Sequence, residues 1–221
     1  VIIDGVYSQD GDLSLLPEII SLCKTHEAML MLDDAHGIGV MGANGRGTAE
    51  HFNCLGQVDI ITETFSKSFG CVGGFAAASK KIIQYLKFYA DSNVFSAAPT
   101  PQVTASILKA LEIIKKEPAI RARLWENTDY LRSRLTTEGF DIGKSVSPIF
   151  PIMIRDNKKV YEIAKMLQEK GIFTIGIVYP AVRTKEARLR VSVLATHEHE
   201  QLDALINALN DINKDIKIKK E

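Results

Sequence analysis

Lys67 stands in the run Thr64-Phe65-Ser66-Lys67-Ser68-Phe69-Gly70, between two apolar stretches, Val58-Asp59-Ile60-Ile61 and Phe75-Ala76-Ala77-Ala78. That placement predicts a lysine pinned between two buried strands. Lysines are normally solvated, and an ammonium taken out of water either pairs with an anion or gives up its proton. The free amine is the form that builds a Schiff base with a carbonyl. Taken alone, the run also reads as a surface lysine in a Ser-rich loop. Its weight comes from a second stretch upstream. Ala28-Met29-Leu30-Met31-Leu32 reads as a buried strand that leads straight into Asp33-Asp34-Ala35-His36-Gly37-Ile38-Gly39. Acids and a histidine at the C-terminal end of an apolar strand sit where open α/β sheets place ligand chemistry. Asp33 alone would be a turn former, and His36 alone a satisfied loop histidine. With Lys67 they form another set. A carboxylate can keep a pyridinium nitrogen protonated, and an imidazole can touch the ring's phenolic oxygen or face. Those are the protein's levers on pyridoxal 5'-phosphate (PLP) once a lysine holds it.

Asp33-Asp34-Ala35-His36-Gly37-Ile38-Gly39-Val40, then Gly42, Gly45-Arg46-Gly47 and Thr64-Phe65-Ser66-Lys67 resemble the α-oxoamine synthase family of PLP-dependent acyltransferases. The resemblance runs along the whole chain. It implies an α/β chain of the aspartate-aminotransferase fold (fold type I), covering the C-terminal part of the large domain and the small C-terminal α/β domain. A typical member carries a further long N-terminal portion that these residues do not include. The resemblance implies that Lys67, His36 and Asp33 are catalytic, with PLP tethered to Lys67 and its ring nitrogen held by Asp33. It puts Ser8 beside the cofactor ring, His36 on the ring or its phenolic oxygen, and Thr64 on the phosphate. Ser96 and Ala97 would reach the phosphate of a neighbouring subunit, although Ala97 offers only backbone and Ala98 stands where many relatives have a second Ser. Arg190 would hold the carboxylate of the amino-acid substrate. The implied reaction condenses glycine, alanine or serine with an acyl-CoA, releasing CoA and usually CO2. The implied assembly is a homodimer with a shared active site. Two other readings stay open: another fold-type-I PLP enzyme such as an aminotransferase, and a non-catalytic partner subunit of such a synthase.

Composition narrows the class. The 221 residues are 46% hydrophobic, enough for one or two cores, and 27 basic residues balance 27 acidic ones. That balance suggests neither a nucleic-acid nor a membrane-surface partner. Cys23, Cys54 and Cys71 are widely spaced with no CxxC, which fits a reducing cytoplasm better than a disulfide framework or a zinc site. His197-Glu198-His199 lacks the rest of a tetrahedral ligand set and reads as exposed polar residues, so no metal is expected. The chain opens at Val1 in a strand-like run without Met, which reads as a truncation.

The elements that must position these residues follow from periodicity. A strand near Ile3, a helix over 14–26 capped by Ser14, and a strand over 28–33 make a parallel crossover unit. Gly37, Gly39, Gly42, Gly45 and Gly47 do not open into a periodic helix, so a shaped loop over the active site fits better than a dinucleotide fingerprint. A helix from Lys80 to Tyr89 should turn Ile82, Ile83, Leu86 and Tyr89 inward, and a second should run from Pro101 to Lys116. The domain change is expected there, giving 1–115 as the large-domain part and 116–221 as the small domain. The latter should hold a helix after Pro118, strands at 150–154, 172–178 and 189–194, and helices at 158–170 and 198–213, the last capped by Thr196. In Arg188-Leu189-Arg190-Val191-Ser192 both arginines share a strand face, and Arg188 reads as a solvated edge charge. Residues 214–221 read as a frayed, solvated tail.

Overall fold

The structure is a computed structural model that describes residues 1–219. It divides into two compact units, Val1–Tyr7 with Leu13–Arg121, and Ser8–Asp12 with Ala122–Glu221. The change thus falls after Arg121 rather than after 115. Ser8–Asp12 goes with the second unit, because its partners lie on a strand of that unit.

The first unit is built on a four-stranded sheet. Strands β1 (Ile2–Asp4), β2 (Met31–Asp33) and β3 (Ile60–Thr64) run parallel, and β4 (Gly74–Ala78) returns antiparallel on the edge. Asp4 pairs with Asp33, and Asp33 with Thr62, so the polar C-terminal ends of three parallel strands fall in one row. Helix α1 (Leu16–Thr25) covers one face, laying Leu16, Ile20 and Cys23 on Leu30 and Leu32, with Ala49 of the short α2 (Thr48–His51) completing the core. Ser14 does not cap α1. Its N–H donates to the Gly5 carbonyl (3.1 Å), which ties the preceding turn back to β1, and Leu15 takes the cap position without a side-chain bond.

Helix α3 (Lys80–Tyr89) begins where its cap dictates, with the Ser79 hydroxyl accepting from the Ile82 N–H. Its expected inward stripe is not buried: no residue of α3 is, and Tyr85, Phe88 and Tyr89 are exposed. The short α4 (Asp91–Val94) and α5 (Pro101–Lys116) also bury no residue, although α5 is capped by Thr100 and opens on Pro101, as its sequence requires. Most residues of β4 are exposed as well, and among the described residues it is the edge strand of the sheet. Lys67 therefore lies exposed in the turn between β3 and an open edge strand, not between two buried strands.

The second unit follows α6 (Pro118–Thr137), whose first turn belongs to the first unit. Strands β5 (Ile149–Met153), β6 (Ile175–Ile177) and β7 (Arg188–Ser192) form an antiparallel sheet in the order β5-β7-β6. Helices α7 (Asn157–Glu169) and α8 (His199–Asp215) pack their apolar stripes on it, so that Phe150, Ile152, Ile163, Leu167, Leu189 and Leu209 are fully enclosed. Asp156 caps α7 by accepting from the N–H groups of Lys158 and Lys159. Glu198, not Thr196, caps α8, in a reciprocal capping box with Gln201. The tail is not frayed where it is described. Lys214 and Asp215 continue α8, and Ile218 is buried in the core, while Lys220 and Glu221 lie outside the described residues.

Candidate active site

The strand-end row gathers residues expected to do the chemistry. Asp33 is half-buried at the last position of β2, and its Oδ1 accepts the Ala35 N–H (3.0 Å), which fixes the carboxylate at the mouth of the turn leading to His36. Asp34, one residue on, points the other way and is 1% exposed. It accepts the Thr48 N–H (2.5 Å) and the Thr48 hydroxyl, and burial pushes its carboxyl up to about 6 against the lowering pull of those bonds. A Cβ on Gly5, Gly37 or Gly47 would fall within 2.3 Å of its oxygens. These glycines therefore form a cage around one buried acid. Asp34 clasps the Gly-rich loop to the sheet, while Asp33 stays with the site. Sequence reasoning missed this division of labour; the signal was the glycine spacing, which only the fold connects to Asp34.

The loop over 37–47 is further shaped by Glu50 of α2. Its carboxylate accepts from the Asn44 N–H (2.9 Å), the Asn44 amide (2.7 Å) and the Arg46 N–H (3.0 Å). These bonds hold it below the usual glutamate range despite some loss of hydration.

Thr64 ends β3 and organises the lysine turn. Its hydroxyl lies 2.8 Å from the Ser66 hydroxyl, accepts the Ser66 N–H (3.2 Å) and reaches the Gly73 carbonyl (3.3 Å). Phe65 packs edge-on to Phe69, and the Ser68 hydroxyl donates to the Ile38 carbonyl (2.6 Å), which fastens the Lys67 turn to the loop that follows His36. Gly39, at φ +76°, allows that approach: a Cβ there would lie 2.7 Å from Ser68 Cβ. Lys67 is also within electrostatic reach of the strand ends. Burial raises the Asp4 carboxyl and Asp33 raises it further, while Lys67 draws it down.

Glu63, on the other face of β3, is a residue the sequence reading did not single out. It is 7% exposed, and its Oε2 has no hydrogen-bond partner. Burial pushes its carboxyl up to about 9, with Asp34 and Asp33 adding to the shift and Lys67 opposing it.

In the second unit the structure joins two of the expected site residues. The Arg190 Nε donates to the Ser8 carbonyl (2.6 Å), and its Nη1 to the Ser192 hydroxyl (2.9 Å). Partial burial lowers the guanidinium pKa. Among the described residues Nη2 donates no hydrogen bond. Arg188 is not the solvated edge charge expected. It is 2% exposed, ion-paired to Asp10 and donating to the Gln9 carbonyl (3.3 Å), because β7 is the central strand of its sheet. Ser96 and Ala97 fall in the exposed connector between α4 and α5, outside the strand-end row. His197 and His199 have structural partners: Nδ1 of the first accepts the Leu194 N–H (3.2 Å), and the second stacks on Tyr130.

A mixed α/β sheet with Asp33 at the end of β2 and Lys67 in the turn after β3 has the architecture of fold type I. The sequence profile "Aminotransferase class I and II" matches residues 1–209. The chain belongs to that family, and its relatives place it among the α-oxoamine synthases. It is 44% identical over 218 residues to a serine palmitoyltransferase of Sphingobacterium spiritivorum, covering 99% of this chain and 55% of the relative. It is 45% identical over 216 residues to an 8-amino-7-oxononanoate synthase of Petrotoga mobilis, covering 98% and 55%. Among solved structures it superposes on an SPT with PLP as internal aldimine at a TM-score of 0.94 and 30% identity, covering 99% of this chain and 55% of that one. The chain thus spans about half the length of the curated relatives it matches. Among the described residues, no helix is long and apolar enough to cross a membrane.

Proposed function

We propose that this chain carries the lysine-bearing part of a PLP-dependent synthase that condenses glycine, alanine or serine with an acyl-CoA. The products are a 2-amino ketone or 2-amino-3-oxo acid, CoA and, usually, CO2. One observation carries the reading: Lys67 lies exposed in a turn fastened to the loop after His36, at the strand ends where Asp33 stands.

The residues fit the cofactor. Asp33 commits one carboxylate oxygen to Ala35, which leaves the other to hold the proton on a ring nitrogen. Thr64 would turn its hydroxyl proton from the Gly73 carbonyl, 3.3 Å away, to a phosphate oxygen. When bound, PLP supplies an aldehyde for the lysine amine and a ring that takes up the electron pair released at the substrate Cα. Lys67 would anchor it through its amine and would serve as the base that accepts the Cα proton of the substrate. His36 orients the ring and polarises the attacked thioester carbonyl. Arg190 fixes the substrate carboxylate with the free edge of its fork, and Ser8, locked beside it through its own carbonyl, borders the ring. Ser96 and the Ala97 backbone serve the cofactor phosphate of a second copy.

That last role asks for a homodimer, and the exposed Tyr85, Phe88, Tyr89, Val94 and Phe95 give the first unit an apolar surface for it. Cys23, Cys54 and Cys71, all free thiols, suit a cytoplasmic setting. Borohydride reduction of the PLP-loaded protein followed by peptide mapping tests the reading, with a label on Lys67 as the expected result. An unlabelled Lys67 overturns it. A panel of acetyl-, pimeloyl-, succinyl- and palmitoyl-CoA against glycine, alanine and serine, read by thiol release, then identifies the substrates.

A further inference from the structure

Asn44 is followed by Gly45, and no other asparagine of the chain precedes a glycine. That pair carries a chemistry of its own. The backbone nitrogen of the following residue can close a succinimide ring on an asparagine Cγ, and glycine has no Cβ to hinder the approach. Asn44 is exposed in the Gly-rich loop, so water reaches its amide.

Glu50 of α2 holds that amide in place. Its Oε1 accepts from Asn44 Nδ2 (2.7 Å), and its Oε2 from the Asn44 and Arg46 N–H groups (2.9 and 3.0 Å). The Gly45 N–H donates to the Gly42 carbonyl (3.2 Å). Ring closure needs both the side chain and that N–H released, so local opening of this clasp sets how often the reaction starts. The product undoes the same clasp. An aspartate at position 44 has no amide to donate, and it sets a second carboxylate against Glu50, where like charges repel. The loop in turn reaches the lysine turn. The Gly45 carbonyl accepts from the Gly39 N–H (2.9 Å), Arg46 bridges to Ile38, and the Ile38 carbonyl accepts the Ser68 hydroxyl (2.6 Å).

We propose that Asn44 is a site of spontaneous deamidation guarded by Glu50, and that its conversion unclasps the Gly-rich loop beside the Lys67 turn. In the first step the Gly45 nitrogen gives its proton to solvent base and bonds to Asn44 Cγ. The bond from Cγ to Nδ2 breaks, and that nitrogen leaves as ammonia, taking its proton from water. The succinimide then takes up one water and opens at either carbonyl, giving aspartate or isoaspartate. Nothing is oxidised or reduced, and water is the only co-reactant. The loop gains a negative charge, and in the isoaspartate form the backbone between Asn44 and Gly45 is also lengthened.

Peptide mapping by mass spectrometry after prolonged incubation in neutral buffer tests this on the protein itself, with no substrate or cofactor. The peptide carrying Asn44 should gain one mass unit ahead of those carrying Asn53, Asn93 and Asn127. Glu50→Ala should speed that gain roughly fivefold at Asn44 alone, by freeing the amide. Asn44→Gln, whose longer side chain closes the ring poorly, should gain no mass there. Asn44→Asp, the product made directly, should speed amide hydrogen exchange at Arg46 roughly tenfold, because that N–H loses its carboxylate partner. A gain at Asn44 no faster than at the other asparagines overturns the proposal. So does a Glu50→Ala rate equal to that of the parent chain or raised equally at every asparagine, or Arg46 exchange unchanged by Asn44→Asp. Failure of Lys67 to take a borohydride label would leave these results untouched, so the two readings fall separately.

Discussion

The two units solve the burial problem differently. In the second, a three-stranded sheet is covered by α6, α7 and α8, and even Ile218 beyond the last helix finds a place in the core. In the first, a smaller core under α1 and α2 supports the strand ends, while α3, α4 and α5 bury none of their residues and β4 lies open. One unit is stabilised from within. The other holds its chemistry on a rigid strand-end row and leaves a broad apolar surface, of the kind that marks an interaction site rather than a scattered exposed residue.

The sharpest test of this contrast is a pair of phenylalanines. Phe150→Ala removes a fully buried ring from β5 and should cost about 3–5 kcal/mol in denaturant unfolding. Phe95→Ala touches a ring that is 84% exposed and should change stability by no more than about 0.5 kcal/mol. Phe95→Asp should instead shift the oligomeric state measured by light scattering. A large loss of stability for Phe95→Ala would erase the distinction between the two units.

The two arginines of β7 sharpen it within one strand. Arg188→Met removes the buried guanidinium that bonds the Glu186 and Gln9 carbonyls and pairs with Asp10, and should cost about 1–3 kcal/mol, chiefly from the carbonyls left without a donor. Arg190→Gln should cost far less, because its neighbours are a carbonyl and a hydroxyl, and should raise the KM for the amino acid with little change in unfolding midpoint. Equal effects of the two on stability would refute the division between a structural arginine and one that is free for the proposed substrate contact.

Glu63 gives the first unit a pH dependence on the alkaline side. Its folded pKa of about 9 lies above the model-peptide value of 4.5, so the folded state binds the extra proton in between. Stability from this group is therefore full below pH 4.5 and declines as pH rises toward 9. Glu63→Gln keeps the shape without the titration. It should stabilise the protein by on the order of 1–2 kcal/mol at pH 8 and by almost nothing at pH 5, read from unfolding midpoints at both pH values. A midpoint difference that does not change with pH would mean that Glu63 is ionised in the fold.

Local chemistry was legible in the sequence wherever it depended on near neighbours. Helices α5 and α7 and the Pro101 and Pro118 starts all declare themselves within a few residues. What escaped depended on strand order or on distant partners. Arg188 looks solvated until β7 is known to be the middle strand. Asp34 looks like a duplicate of Asp33 until Gly5, Gly37 and Gly47 close around it. The stripe on α3 is a correct amphipathic pattern, but periodicity cannot say how fully a face is covered, and here Ile82, Ile83 and Leu86 are only half-buried.

Helix caps carry the contrast to its smallest scale. In α8 the Glu198 carboxylate and the Gln201 side chain satisfy each other's backbone N–H groups, and the helix buries Leu202, Leu205, Ile206 and Leu209. Fraying its first turn would pull Leu202 from the core, so Glu198→Ala should cost about 1 kcal/mol. In α3 the Ser79 hydroxyl accepts from Ile82 at 3.5 Å, a long bond, and the helix has no buried residue to lose. Ser79→Ala should therefore cost only a few tenths of a kcal/mol in global unfolding, at the low end of the range for a lost cap. It should show itself instead as faster amide exchange confined to the first turn of α3. Should Ser79→Ala match Glu198→Ala in global cost, α3 would have to be packed as firmly as α8, and its exposed aromatic face could not be the covering surface of a partner.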